Sequence, residues 1–223
     1  VSSSDRDTAV RRPVTALPFR LHASVTCPPP AELALSLAWE LGDFDADRSE
    51  RNLTALAAAI LPGTERDPAA QLRALGEAVT NMVLCSRSDG GPNELLIDQA
   101  LEHGHAHPVL VAIVLQEIGR RAGIPVGIVA NENGHFLAHQ RLTDARVLDP
   151  RTGRLVDADA LGVLRWQCGH QVAAELLDLL QPRYERNGDL TRALHVARLR
   201  TTLPFEDMAE AEQRLRRITS RLN

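Results

Sequence analysis

The stretch from His103 to Pro150, HGHAHPVLVAIVLQEIGRRAGIPVGIVANENGHFLAHQRLTDARVLDP, reads as one helix followed by three short strands. Pro108 suits the first turn of a helix, where its missing N–H costs nothing. Val109, Ala112, Ile113, Gln116 and Arg120 then step at helical spacing through an apolar run. Arg120, Arg121 and Gly123 make a C-terminal stop: cations near the negative helix end, then a residue that tolerates positive φ. Pro125 bars continuation. Val126–Ala130, His135–Arg141 and Ala145–Asp149 are short and β-prone, separated by the turn residues Asn131, Asn133, Gly134, Thr143 and Asp144.

This layout predicts a meeting of three side chains. His107 stands at the helix N-terminus, His135 opens the second strand, and Asp149 closes the third. A hairpin around Thr143–Asp144 brings His135 near Asp149 across the strand pair. Alternation assigns His135, Leu137 and His139 to one face of their strand, and Val147 with Asp149 to one face of theirs. A histidine oriented by an aspartate is the base half of a nucleophilic triad, and a helix N-terminus is where an activated nucleophile sits.

In these features the stretch resembles the transglutaminase-like core, a relative of the papain-like cysteine proteases. The matching segments, in order and spacing, are Gly123-Ile124-Pro125, Gly134-His135-Phe136-Leu137 and Leu148-Asp149-Pro150. More narrowly, the chain looks like the bacterial SirB-type family, in which this core is preceded by helices and followed by a tetratricopeptide-like tail. Asn93-Glu94-Leu95-Leu96 and Arg151-Thr152-Gly153-Arg154-Leu155 fit that narrower family, and the likeness runs from Ala31 to the end. The resemblance implies His135 and Asp149 as the family's His and Asp. Its nucleophilic Cys falls on or next to His107, where no Cys stands.

Two readings of His107 remain open. A histidine at a positive helix end stays neutral and serves as a base or metal ligand; alternatively it is a loop-bonded helix start. His103, His105 and His107 alternate like a metal-binding tract, and with His135 they offer imidazoles to zinc or another divalent ion. Asp149 would then support His135 from behind rather than ligate. His139 lies too far along its strand to share that ion. Cys168, in Trp166-Gln167-Cys168-Gly169-His170, has a histidine two residues away, a spacing that seldom gives triad geometry. Cys85 reads as packing at a helix end.

The whole chain narrows the choices. Its 223 residues allow one medium domain with an appendage, and a hydrophobic fraction of 44% supports a core. Aromatic residues make up only 3%, so Leu, Ala, Val and Ile must build that core, which favours helices. All 25 basic residues are Arg, which excludes a Lys nucleophile or Schiff base. A net charge of −4 without basic blocks argues against nucleic acid. Three distant cysteines (Cys27, Cys85, Cys168) argue against a disulfide framework and for a reducing cytoplasm. No apolar run spans a bilayer, and no signal sequence is seen in the polar residues 1–12.

Working outward, Leu17, Phe19, Leu21, Ala23 and Val25 alternate as in a strand, with Pro18 confining it to an edge. Cys27-Pro28-Pro29-Pro30 is a stiff linker. Helices follow, with stripes Leu33, Leu37, Leu41; then Leu53, Leu56, Ala57, Ile60, stopped by Pro62-Gly63; then Leu72, Leu75, Val79, Met82, Val83. Asp67-Pro68 starts the third of these. A fourth helix spans Asn93–Leu101. After the core come a short helix at Asp157–Arg165, a helix at Val172–Arg186 kinked or split by Pro182, a turn at Asn187-Gly188-Asp189, and helices Leu190–Leu203 and Glu206–Leu222.

The expected class is α+β: a papain/transglutaminase-like core with a small antiparallel sheet packed on a central helix, a helical N-terminal half and a helical C-terminal tail. The expected division is an extension at 1–30, helices plus core at 31–165, and the tail at 166–223. Three functions fit. The first is a degenerate transglutaminase-like protein that binds a peptide or amide-bearing protein partner in a regulatory or scaffolding role. The second is an enzyme using His135, Asp149 and His107, with or without a metal, on an amide or small acyl substrate. The third is an adaptor docking partners through its tail. Neither nucleic acid nor membrane is an expected partner.

Overall fold

The computed structural model describes residues 17–42, 44–60, 67–81, 85–86, 90–142, 145–204 and 208–222. The Thr143–Asp144 turn, the Pro62-Gly63 stop, residues 1–12, Met82 and Val83 lie outside them, as do the side chains of Val79 and Cys85. Nine α-helices and seven strands are described: α1 Phe19–Ala23, α2 Pro30–Leu41, α3 Ala46–Ile60, α4 Pro68–Asn81, β1 Cys85–Ser86, α5 Ile97–His103, β2 His105–Ala106, α6 Pro108–Arg121, β3 Val126–Asn131, β4 Gly134–His139, β5 Arg146–Asp149, β6 Arg154–Asp157, β7 Arg165–Trp166, α7 Gly169–Arg186, α8 Leu190–Arg200 and α9 Met208–Leu222. The class is α+β, with an antiparallel five-stranded sheet ordered β6-β5-β4-β3-β7.

Helix α6 obeys the local signals. Pro108 is its first residue, and Gly123 at φ 74° lets the chain turn back after it. Every residue from Val109 to Leu115 is buried, so this helix is apolar all round and sits inside the molecule. Its charged end is tied down as well. Glu117 accepts from Arg120 at 2.7 and 2.8 Å and from Arg121 at 2.7 Å, and Arg121 reaches Glu50 of α3 at 2.8 Å. Burial alone would raise the Glu117 pKa; the two guanidiniums outweigh it and hold the pKa below the ordinary value.

The sheet has two unlike faces. Val126, Ile128, Leu137 and Leu148 join the main core with α6. Val129, Phe136 and Val147 form a second cluster on the other face, covered by Leu161 and Leu164. His139, on the α6 side, lies under α4, where its Nε2 is 2.8 Å from Gln71 Oε1. Helix α4 presses on the β5–β6 turn so closely that a Cβ on Gly76 would lie 2.1 Å from the Gly153 carbonyl oxygen.

Some local expectations are corrected. The alternating Leu17–Val25 segment is not an edge strand; residues 19–23 are helical. An i, i+2 apolar pattern also splits into two i, i+4 sets on a helix. Here Phe19 and Ala23 turn inward, while Leu17, Leu21 and Val25 face solvent. The Asp157–Arg165 helix is instead the end of β6, a 3-10 turn at Asp159–Leu161 and the start of β7. Asn93–Leu101 divides into a 3-10 turn, Pro92–Leu95, and α5. Cys85 lies in β1, paired in parallel with His105 of β2, rather than at a helix end. Helix α7 is not split at Pro182; it runs on to Arg186.

Candidate functional site

His107 is the N-cap residue of α6. Its backbone N–H donates to Glu94 O at 2.8 Å, which joins the helix start to the Pro92–Leu95 turn. Its Nδ1 accepts from the Val109 N–H at 3.4 Å, so the ring proton belongs on Nε2, free to donate. Burial lowers the His107 pKa from 6.5 to about 4; the Arg183 charge and His135 push the same way, and Glu175 opposes them. The imidazole is therefore neutral at neutral pH. Burial, rather than the helix end, is the main cause.

His135 is 7% exposed, and its Nε2 lies 2.9 Å from Glu175 Oε2. Glu175 belongs to α7, not to the sheet. Arg183, two turns further along the same helix, is 6% exposed and donates from Nε to Gly90 O at 2.9 Å. Residues 175, 179 and 183 share one helical face. That face of α7 thus brings a carboxylate and a guanidinium over the start of α6 and the first residues of β4. A 610 Å³ cavity lined by Gly90, Gly91, Leu179 and Arg183 continues along it.

Asp149 does not join His135. Leu137 pairs with Leu148, so Asp149 falls opposite Phe136 and turns to the other face of the sheet. The expected pairing was off by one residue, and one residue reverses every side chain on a strand. There Asp149 accepts from the Arg151 backbone N–H at 2.9 Å and Nε at 3.0 Å, and the Arg151 guanidinium lies 5.7 Å from the Phe136 ring centroid. Its geometry is that of a buried carboxylate holding a turn and paired with an exposed arginine.

The histidine tract does not converge either. His103 is the last residue of α5, with Nδ1 3.0 Å from Gln99 O; Gly104 then turns the chain at φ 72° before β2. His105 lies on β2, with a buried Nδ1 that has no hydrogen-bond partner among the described residues. The turn destroys the alternation that suggested a metal tract. Among the described residues, no three His, Cys, Asp or Glu side chains are grouped to hold a metal ion. His103, His105, His107 and His135 therefore do not fit a zinc site. Cys168 is the N-cap residue of α7, and His170 beside it is spoken for: its Nε2 lies 2.9 Å from Ala23 O.

Glu175 and Arg183 escaped the sequence reading because partnership with a distant helix leaves no local trace. One signal existed. Val172, Leu176, Leu180 and Arg183 occupy one buried stripe, and a charge in such a stripe marks a paired or functional group.

Comparisons with known proteins agree with this architecture. No curated protein matches the sequence at a significant level. Among solved structures, one similar fold is a crystal structure of menin, described as revealing the binding site for Mixed Lineage Leukemia (MLL) protein. It shares 13% identity and a TM-score of 0.54, covering 91% of this chain and 60% of menin's. The chain thus spans less than two thirds of that protein, and the likeness is one of fold. A family model described as the transglutaminase-like superfamily matches residues 47–186, from α3 to the end of α7 and including the whole cluster around His107 and His135. The chain belongs to the transglutaminase-like superfamily.

Proposed function

We propose that this protein is a non-catalytic member of the superfamily, of the SirB type, that binds a peptide where the start of α6, β4 and α7 meet. The observation that carries the reading is the state of His107. Where the resembled family carries a thiol, this chain has a neutral imidazole already used as a helix cap. A base with a pKa of about 4 has little driving force for proton abstraction at neutral pH. What it offers is recognition. The His107 Nε2–H donates, and the half-exposed Glu175 carboxylate accepts. Together these complement the C=O and N–H of a main-chain amide. The α7–α8 hairpin, read as tetratricopeptide-like, then supplies a wall of that site rather than a separate docking module. Menin, with the same fold, has a described protein-binding site, which favours binding over turnover.

The test is a selection from a displayed random-peptide library on the full chain, followed by fluorescence-polarisation titration. A selected peptide should bind at least tenfold more weakly to His107→Ala and Glu175→Ala, and equally well to Asp149→Asn. A parallel assay offers glutaminyl peptides and hydroxylamine. Hydroxamate formation lost in His135→Ala would overturn the reading in favour of an enzyme. So would a library yielding no peptide whose binding depends on Glu175.

A further inference from the structure

Two of the three cysteines, far apart in sequence, line one cavity. Cys27 and Cys168 border a space of about 340 Å³, together with Pro28, Gly169, Gln116 and Arg120. Both are free thiols, Cys27 exposed and Cys168 half-buried. The backbones that follow them are in direct contact: a Cβ on Gly169 would lie 2.0 Å from the Pro28 carbonyl oxygen and 3.1 Å from its carbonyl carbon. Only glycine permits that approach. A disulfide needs Cα atoms within about 7 Å, and chains that touch one residue downstream of each thiol bring the two cysteines to the same place in the fold.

From this contact we propose that Cys27 and Cys168 form a reversible intramolecular disulfide, which fastens the linker before α2 to the first turn of α7. The inference does not rest on the peptide-binding reading. Cys168 is the N-cap residue of the 18-residue helix α7, half-buried where Cys27 is exposed, and Arg120 borders the same cavity. Cys168 is the attacking sulfur. With a peroxide as oxidant, the Cys168 sulfur, having given up its proton, attacks one oxygen of H2O2, the O–O bond breaks, a sulfenic acid forms, and the other oxygen leaves as hydroxide, which takes up that proton to become water. The Cys27 thiol then attacks the sulfenic sulfur. The S–O bond breaks, a second water leaves, and the S–S bond forms with each sulfur oxidised by one electron. A small dithiol reverses the step. The bond would close the long loop from Cys27 to Cys168, holding the segment of α7 that carries Glu175.

The experiment treats the purified full chain with a small excess of hydrogen peroxide, blocks remaining thiols with iodoacetamide, and maps peptides without reduction. Cleavage after arginine puts Cys27, Cys85 and Cys168 on separate peptides. The expected product is a Cys27–Cys168 linked pair two hydrogens lighter than the separate peptides, with Cys85 alkylated. The unfolding midpoint should rise by about 5–10 °C and fall back with dithiothreitol, as closure of a long loop predicts. In Cys27→Ser, Cys168 should stop at a sulfenic acid that dimedone traps, with no rise in midpoint. Linkage through Cys85, a disulfide between chains, or Cys27 and Cys168 both alkylated after the oxidant is consumed would each overturn the proposal.

Discussion

Replacing His107 with asparagine separates its two roles, because asparagine caps a helix as well as any residue but does not titrate. The folded His107 has a pKa of about 4 against 6.5 when exposed. Above pH 6.5 both states hold a neutral ring, and His107 contributes no pH dependence. As pH falls below 6.5 the unfolded chain binds the proton first, so wild-type stability declines until the folded ring also protonates near pH 4. The full shift corresponds to about 3 kcal/mol. His107 is only partly shielded, so solvent screening reduces this to about 2 kcal/mol. Urea unfolding of both proteins at intervals from pH 8 to 4.5 measures the effect. The stability of His107→Asn minus that of wild type should be flat from pH 8 to 7, then climb by about 2 kcal/mol on acidification; carboxylates common to both proteins cancel. Added salt should change this climb little, since burial outranks the Arg183 charge as its cause. A difference that stays flat through pH 5, or that slopes the other way, would refute the neutral, buried imidazole on which the functional proposal stands.

Further substitutions test the remaining geometry. Glu175→Gln removes a half-exposed charge beside His135. It should cost no more than about 1 kcal/mol in urea unfolding, so a larger loss would mean that the α7 contact is chiefly structural. Asp149→Asn weakens the pairing of a buried carboxylate with the exposed Arg151 on the opposite sheet face and should cost about 1–2 kcal/mol; an effect on peptide affinity as large as that of Glu175→Ala would contradict the register described above. Gly76→Ala gains about 1 kcal/mol of helix propensity but drives a methyl group into the Gly153 carbonyl. Net destabilisation of about 1–2 kcal/mol is expected, read from the urea midpoint, and a more stable variant would show that α4 does not press on that turn.

Short-range rules were sufficient for the central helix and the strands beside it. Pro108, Gly123 and Pro125 act on their immediate neighbours, so the bounds of α6 and the places of β3, β4 and β5 follow from residues adjacent in sequence. The His107 cap is local in the same way. Leu17–Val25 shows where local rules run out: the same spacing serves a strand or a helix, and burial of Phe19 against α2 decided between them. Strand register is a second such case. It is set by which leucines meet in the core, and pairing Leu137 with Leu148 carried Asp149 away from His135. The carboxylate that replaces it comes from α7, forty residues beyond His135 in the chain. Glu175 reaches the ring because an amphipathic tail helix must bury its apolar face somewhere, and it buries that face against the same core that α6 and the sheet share. Sequence therefore determined the scaffold and the two histidines; the packing of distant elements alone decided which charges stand beside them.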